Sequence, residues 1–266
     1  PQTTGSVGQG TNAGAANTPA LTDLNDWRRA SIWIEDFSNS GVTQAYTTAA
    51  GVGAGATQSF VPILDGSIWR PSVVQMQTGT TTTGRWTIQS SPNNYTFSSD
   101  KQHIFSSGMV PVLSTVGEEY EIYVGFGDTI TGADQVDGAY FLYDRLVGGD
   151  FWRACVASNS VRTCQTLDGS AGTTSTAVVA GNWLNLRATC TSARCDFYVA
   201  APAGAWTSVA SACTAASGCT ANSVALPSAT ARVFGAVVEI VKSAGSTNTF
   251  YDLDVIGYYG PFSSPR

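Results

Sequence analysis

The chain has 266 residues, 43% of them apolar and only 12% charged, with a net charge of −6; there is ample material for a core, and hydroxyls and amides must cover much of the surface. The acidic balance excludes an electrostatic nucleic-acid partner, because no basic run is present to neutralise phosphates. No apolar run approaches the roughly 20 residues that a membrane-spanning helix needs, so no membrane partner is expected.

Residues 1–18 are Gly, Thr, Ala, Asn and Gln with almost no apolar side chain, too little to offset the entropy of ordering. The opening PQTTGSVGQG has neither the basic nor the apolar part of a leader, which fits either a removed leader or loss of an initiator Met alone. Thr18-Pro19 then reads as a helix start, with Leu21, Leu24 and Trp27 following at helical spacing, so a short helix is expected from Pro19 to Arg28. A low-complexity arm ending in an amphipathic helix suits docking onto another subunit, with those three side chains as the assembly contact. Residues 1–30 therefore form an arm and 31–266 the folded domain.

From Ser31 the pattern turns to strands. SIWIEDF alternates, the polar stretch Ser38 to Gln58 holds loops or a poorly patterned strand, and SFVPIL, IWRPSVVQMQT, GRWTIQS and YTFSS follow between Gly, Pro, Asn and Ser. Val110 to Leu113 is a short candidate strand. In EYEIYVGFG, Ile122, Val124 and Phe126 share one face and Glu121 and Tyr123 the other. The loop GDTITGADQVDG carries Asp128, Asp134 and Asp137, candidate calcium ligands because hard cations want clustered oxygens; the spacing is not that of an EF-hand, and Asp also serves turns through its own backbone hydrogen bonds. Further on, ARVFGAVVEIVKS is apolar on both faces, as a central strand would be. In TFYDLDVIGYYG, Tyr251, Leu253 and Val255 are expected on one face and Asp252 and Asp254 on the other. No fixed-period repeat is present. The expected fold is all-β, an antiparallel β-sandwich of jelly-roll type.

Six cysteines allow 15 pairings, and hairpin geometry narrows them. A two-residue turn at Asn159-Ser160 sets Ser158 against Val161 and Cys155 against Cys164; a turn at Ser192-Ala193 sets Cys190 against Cys195. Cys213 and Cys219 bracket a small loop that a third bridge would close. The rival reading, a zinc site, lacks any C-x-x-C pair, and the single histidine, His103, lies far away in sequence. Disulfides imply work outside a reducing cytoplasm.

Catalytic chemistry is not expected. A Ser/His/Asp triad would have to use His103, and no G-x-S-x-G elbow is present. A glycosidase pair would come from Glu118, Glu119, Glu121, Glu239, Asp252 and Asp254, without the E-x-D-x-x-E pattern of sandwich glucanases. Most tryptophans sit in alternating strands, where they read as core. Trp206, in the loop-like APAGAWTS, is the exception and a candidate glycan contact.

The order of segments carries a resemblance. IEDF, a Pro-containing strand, GRW, YEIYVGFGD, DGAYFLYDR, DFWRACVAS, NWLNLRATC, CDFYVA and VVEIVKSAGSTNTFYDLDVIGYYG resemble the concanavalin-like (lectin- and glucanase-type) jelly-roll domain of tailed-bacteriophage virion proteins, over roughly Ser31 to Tyr259. In such domains a Lys-x-x-Gly-(Ser/Thr) turn, here Lys242, Gly245 and Ser246, precedes a strand with an Asp near its start, here Asp252 or Asp254. The resemblance implies a non-enzymatic virion component (capsid decoration, fibre or tail), often a homotrimer. Its partners would be other virion proteins reached through the arm, and a host-surface glycan. The alternative is a secreted carbohydrate-binding module.

Overall fold

The computed structural model describes residues 30–35, 37, 47–65, 68–90, 95–129, 134–215, 218–227 and 234–261. The arm, the expected helix and its Leu21, Leu24 and Trp27 lie outside the described residues.

Strands dominate, as the alternating pattern requires. In chain order they are β1 (Ala30–Glu35), β2 (Thr47–Val52), β3 (Thr57–Asp65), β4 (Ile68–Gln77), β5 (Arg85–Gln89), β6 (Gln102–Met109), β7 (Tyr120–Gly127) and β8 (Gly138–Asp144). A single turn of helix, α1 (Arg145–Gly148), follows; then come β9 (Trp152–Ser158), β10 (Val161–Thr166), β11 (Trp183–Cys190), β12 (Arg194–Ala200), β13 (Thr207–Cys213), β14 (Gly235–Lys242) and β15 (Phe250–Pro261). One sheet runs β13-β12-β11-β6-β15-β4-β3, with β1 also on β15, and the second runs β10-β9-β8-β7-β14-β5-β2. Every strand pairing is antiparallel. The two sheets pack face to face as a β-sandwich.

Alternation decides which side chains fill the space between the sheets. Ile122, Val124 and Phe126 of β7 and Ala236, Val238 and Ile240 of β14 are in the main core cluster. The sheets meet where Phe141 of β8 stands edge-on to Phe197 of β12, centroids 5.3 Å apart. Phe97, Phe126 and Phe234 form a second aromatic contact, with centroids 4.4 to 5.4 Å apart. β14 lies inside its sheet between β7 and β5, the central place its two apolar faces call for.

Four expectations about strands need correction. Gln102–Met109, where the pattern predicts no strand, is a full strand that carries His103; its Ser106, Ser107 and Gly108 hide the strand pattern. YTFSS makes only a single bridge, Tyr95 to Phe234, and turns away where Asp100 N–H donates to Ser98 Oγ at 3.2 Å. Val110 to Leu113 is loop, because Pro111 has no N–H and the Val110 and Val112 carbonyls accept from Gly181 N and the Tyr120 hydroxyl. Lastly, the register of β15 against β6 shifts between Leu253 and Val255. That irregularity reverses the alternation, so Tyr251, Leu253, Ile256 and Tyr258 face the core while Val255 does not.

Candidate functional site

Both hairpins close on the register that counting from their turns requires: Cys155 faces Cys164 and Cys190 faces Cys195. Disulfides join both pairs, with Cα atoms 4.1 Å apart in each, and a third joins Cys213 to Cys219 across 6.0 Å. They pin register and loop shape within short loops and join no distant parts of the fold.

The Lys242-x-x-Gly245-Ser246 turn is structural. Lys242 is buried, and its Nζ donates to the Gly79 carbonyl at 2.8 Å and to that of Thr247. The Glu118 carboxylate accepts from Ser246 N and Thr247 N at 3.1 Å and from Thr247 Oγ1 at 2.8 Å. These bonds hold its pKa below the ordinary value.

On the outward face of the second sheet, ionisable groups gather around two buried tyrosines, Tyr123 and Tyr140. Tyr123 donates to Glu121 and, at 3.3 Å, to Asp134, and Asp134 is paired with Arg162. Burial pushes the Glu121 carboxyl up, and the Asp144 and Asp134 charges add to that effect. Glu121 lies directly opposite Asp144 across β7 and β8, a placement where a carboxylate pair for glycoside hydrolysis would be sought. Asp144, however, caps α1, its Oδ1 accepting from Leu146 N at 3.1 Å and Val147 N at 3.4 Å. Its other oxygen lies 3.9 Å from Arg153 Nη1. Glu239 is wholly buried and accepts from Thr87 Oγ1 at 2.9 Å. These carboxylates hold the fold together.

The loop aspartates serve separate partners. Asp128 accepts from Val136 N at 3.0 Å and Thr129 Oγ1 at 3.1 Å, Asp137 from Asn159 N at 2.9 Å, and Asp134 meets Arg162. Among the described residues no three His, Cys, Asp or Glu side chains are grouped as a metal site requires.

On the outward face of the first sheet, Arg187 of β11 stands opposite Tyr198 of β12. Its guanidinium carbon lies 4.4 Å from the Tyr198 ring centre and 4.5 Å from that of Trp206. Trp206 is thus half-buried, with ring surface occupied by a cation. Next along, His103 Nδ1 is 2.9 Å from Thr189 Oγ1; burial, then the charges of Arg187 and Lys101, lower its pKa to about 4. It is neutral at physiological pH. Composition gave no hint of this platform, but the hairpin count did contain a signal: continued three pairs beyond Cys190 and Cys195, it sets Arg187 against Tyr198. At one end of the sandwich, Trp152, Val178, Trp183 and Leu184 line a pocket of about 190 Å³.

This architecture defines a concanavalin-like sandwich, the class of legume lectins and sandwich glucanases. Peanut lectin, in a structure with a nine-residue peptide, superposes with a TM-score of 0.53 at 8% identity, covering 88% of this chain and 99% of that one. The endo-1,3-beta-glucanase of Streptomyces sioyaensis gives 0.50 at 11% identity over 87% and 96%. The chain matches the SO2946-like C-terminal domain family over residues 69–254 and belongs to that family. Accordingly, the protein of unknown function SO2946 from Shewanella oneidensis MR-1 superposes with a TM-score of 0.58 at 13% identity, over 90% of this chain and 89% of that one. No curated protein matches the sequence. At these identities the likenesses show the fold alone. Three disulfides suit a secreted or extracellular protein, and no helix among the described residues is long and apolar enough to cross a membrane.

Proposed function

We propose that the chain is a non-enzymatic structural protein of a bacteriophage virion, a capsid decoration, fibre or tail component. Its lectin-like jelly roll projects outward, stabilises the particle and contributes to host-surface adhesion. The observation that carries this reading is the pairing of a lectin-type sandwich with three short disulfide staples, a construction suited to persistence outside the cell. The commitment of Asp134, Asp144 and Glu239 to structural partners argues for scaffold over catalyst. The arm over residues 1–30 would join the protein to its virion neighbours, and a homotrimer is the assembly we expect. Mass spectrometry of purified particles from the strain that encodes the chain tests the proposal: many copies per particle are expected, and absence from particles overturns it.

The alternative, a secreted carbohydrate-binding module, is favoured by the half-buried Tyr198 and Trp206 rings beside one cation on the outward face. It expects a monomer by light scattering and glycan-array binding weakened by Trp206→Ala.

A further inference from the structure

Two arginines are buried to the same degree, Arg70 and Arg187, each 7% exposed. Arg70 stacks on the Trp183 ring at 4.0 Å and is paired with Asp254. Arg187 stacks on two rings, and among the described residues no carboxylate or carbonyl accepts from it. Its Nε is sealed from solvent with no hydrogen-bond partner, as are those of Arg85 and Arg153; what sets Arg187 apart from Arg70 is that no acid is paired with it. The nearest acid along β12, Asp196, lies opposite Thr189 and is bound to Arg194 Nε at 2.7 Å. No carboxylate is among the charges that act on Arg187. A guanidinium carries five N–H donors in a planar fork; here only Nε is sealed, and the two Nη groups, which no described residue bonds, are open to an incoming acceptor. The aromatic contacts hold the cation in place and leave its hydrogen-bonding edge without an intramolecular acceptor.

The fork and its surroundings define the ligand. Two parallel N–H donors match a carboxylate bidentately. Against the cation stand the half-buried rings of Tyr198 and Trp206, and the exposed Ser208 lies opposite Tyr198 on β13. Phe105 and Tyr198 are its direct cross-strand neighbours. Aromatic edges beside hydroxyls suit a sugar ring attached to the anion. We infer that Arg187, with Tyr198 and Trp206, forms a binding site for the carboxylate of an acidic sugar, a uronate or sialate unit of a surface glycan. This rests on the adhesive part of the function proposed above and names its ligand class.

The test uses the full chain and four probes: methyl glucuronide, the methyl glycoside of N-acetylneuraminate, neutral methyl glucoside and acetate. Binding is read from the side-chain Nε–H resonance of Arg187 and by calorimetry. A saturable shift is expected with at least one of the two acidic sugars, with affinity at least tenfold above that for acetate or methyl glucoside. Arg187→Lys, which keeps the charge and loses the fork, should weaken binding tenfold or more with an unchanged melting temperature; Trp206→Phe, which keeps a ring, should weaken it less. The inference is overturned by no saturable shift with either acidic sugar, by equal binding of acetate or methyl glucoside, or by equal affinity in Arg187→Lys. Particle mass spectrometry reads the virion proposal separately, so the two can fail independently.

Discussion

Two groups on the outward face of the first sheet should oppose each other as pH changes. Asp252 is 2% exposed, and burial raises its pKa from 3.8 to about 6, against the opposing effect of the hydrogen bond from Gln75 Nε2 at 3.0 Å. Between those values the folded chain holds a proton that the unfolded chain has released. Asp252 therefore favours folding at low pH, and its contribution is lost as pH rises through 6. For His103 the pKa falls from 6.5 to about 4; here the unfolded chain holds the extra proton, and stability rises with pH over that window. At 1.36 kcal/mol per unit each term is at most about 3 to 3.5 kcal/mol, so they cancel across most of pH 4 to 6. Asp252 pairs with Met109 and His103 with Tyr259, at opposite ends of β6, so the effects should add. Urea unfolding of the disulfide-intact protein, at constant ionic strength, should show Asp252→Asn gaining about 2 to 3 kcal/mol relative to the parent between pH 4 and 7. His103→Gln should lose a similar amount over the same range. Differences from the parent remove the slope contributed by the other carboxylates. Two curves that run parallel to the parent would refute the assignment of either shift to burial.

Three further outcomes are expected. Replacing either cysteine pair Cys155/Cys164 or Cys190/Cys195 by serine should cost about 2 to 3 kcal/mol in the chain-entropy model; calorimetry should show a melting temperature lower by roughly 5 to 10 °C, and mass analysis with alkylation should find no free thiol in the parent. Gly245 has φ +88° and a Cβ there would run into the Glu118 carboxylate, so Gly245→Ala should destabilise by about 1 to 2 kcal/mol or more, read from urea midpoints. Arg70→Met and Arg187→Met should differ in sign or size although both remove an arginine of equal burial, because only Arg70 is paired with an acid.

Alternation and turn chemistry made much of the sandwich legible. Strands whose inward residues are large, such as β7, β8 and β14, stand out, and the two cysteine hairpins fix their own register. Where side chains are small the signal fails: β6 inserts Ser106, Ser107 and Gly108, and nothing local separates that stretch from a loop. The irregularity at Asp254 is equally silent, because it depends on pairing with β6, a long-range contact. The candidate site was half legible. Trp206 attracted attention as a loop aromatic, but its partner Arg187 sits inside NLRATC, a stretch that reads as ordinary strand until its register with CDFYVA is extended beyond the disulfide. The loop aspartates are ambiguous for a different reason: Asp is suited both to metals and to backbone N–H groups, and here each of the three has a backbone or Arg162 partner.

The contrast between the two buried arginines separates a residue that holds the fold from one that does not. Removing Arg70 leaves Asp254, which is only 24% exposed at its side chain, without its cation, and truncating one member of such a pair costs about 3 kcal/mol. Removing Arg187 orphans no acid, since none is paired with it. Methionine at that position keeps apolar contact with Tyr198 and Trp206. Arg187→Met should therefore remain within about 1 kcal/mol of the parent, or exceed it, while Arg70→Met falls well below; urea unfolding at pH 7 measures both. A loss at Arg187 as large as that at Arg70 would mean that the cation is part of the fold's own support. An arginine that contributes little to stability, in a chain with so few charges, is explained by what it binds.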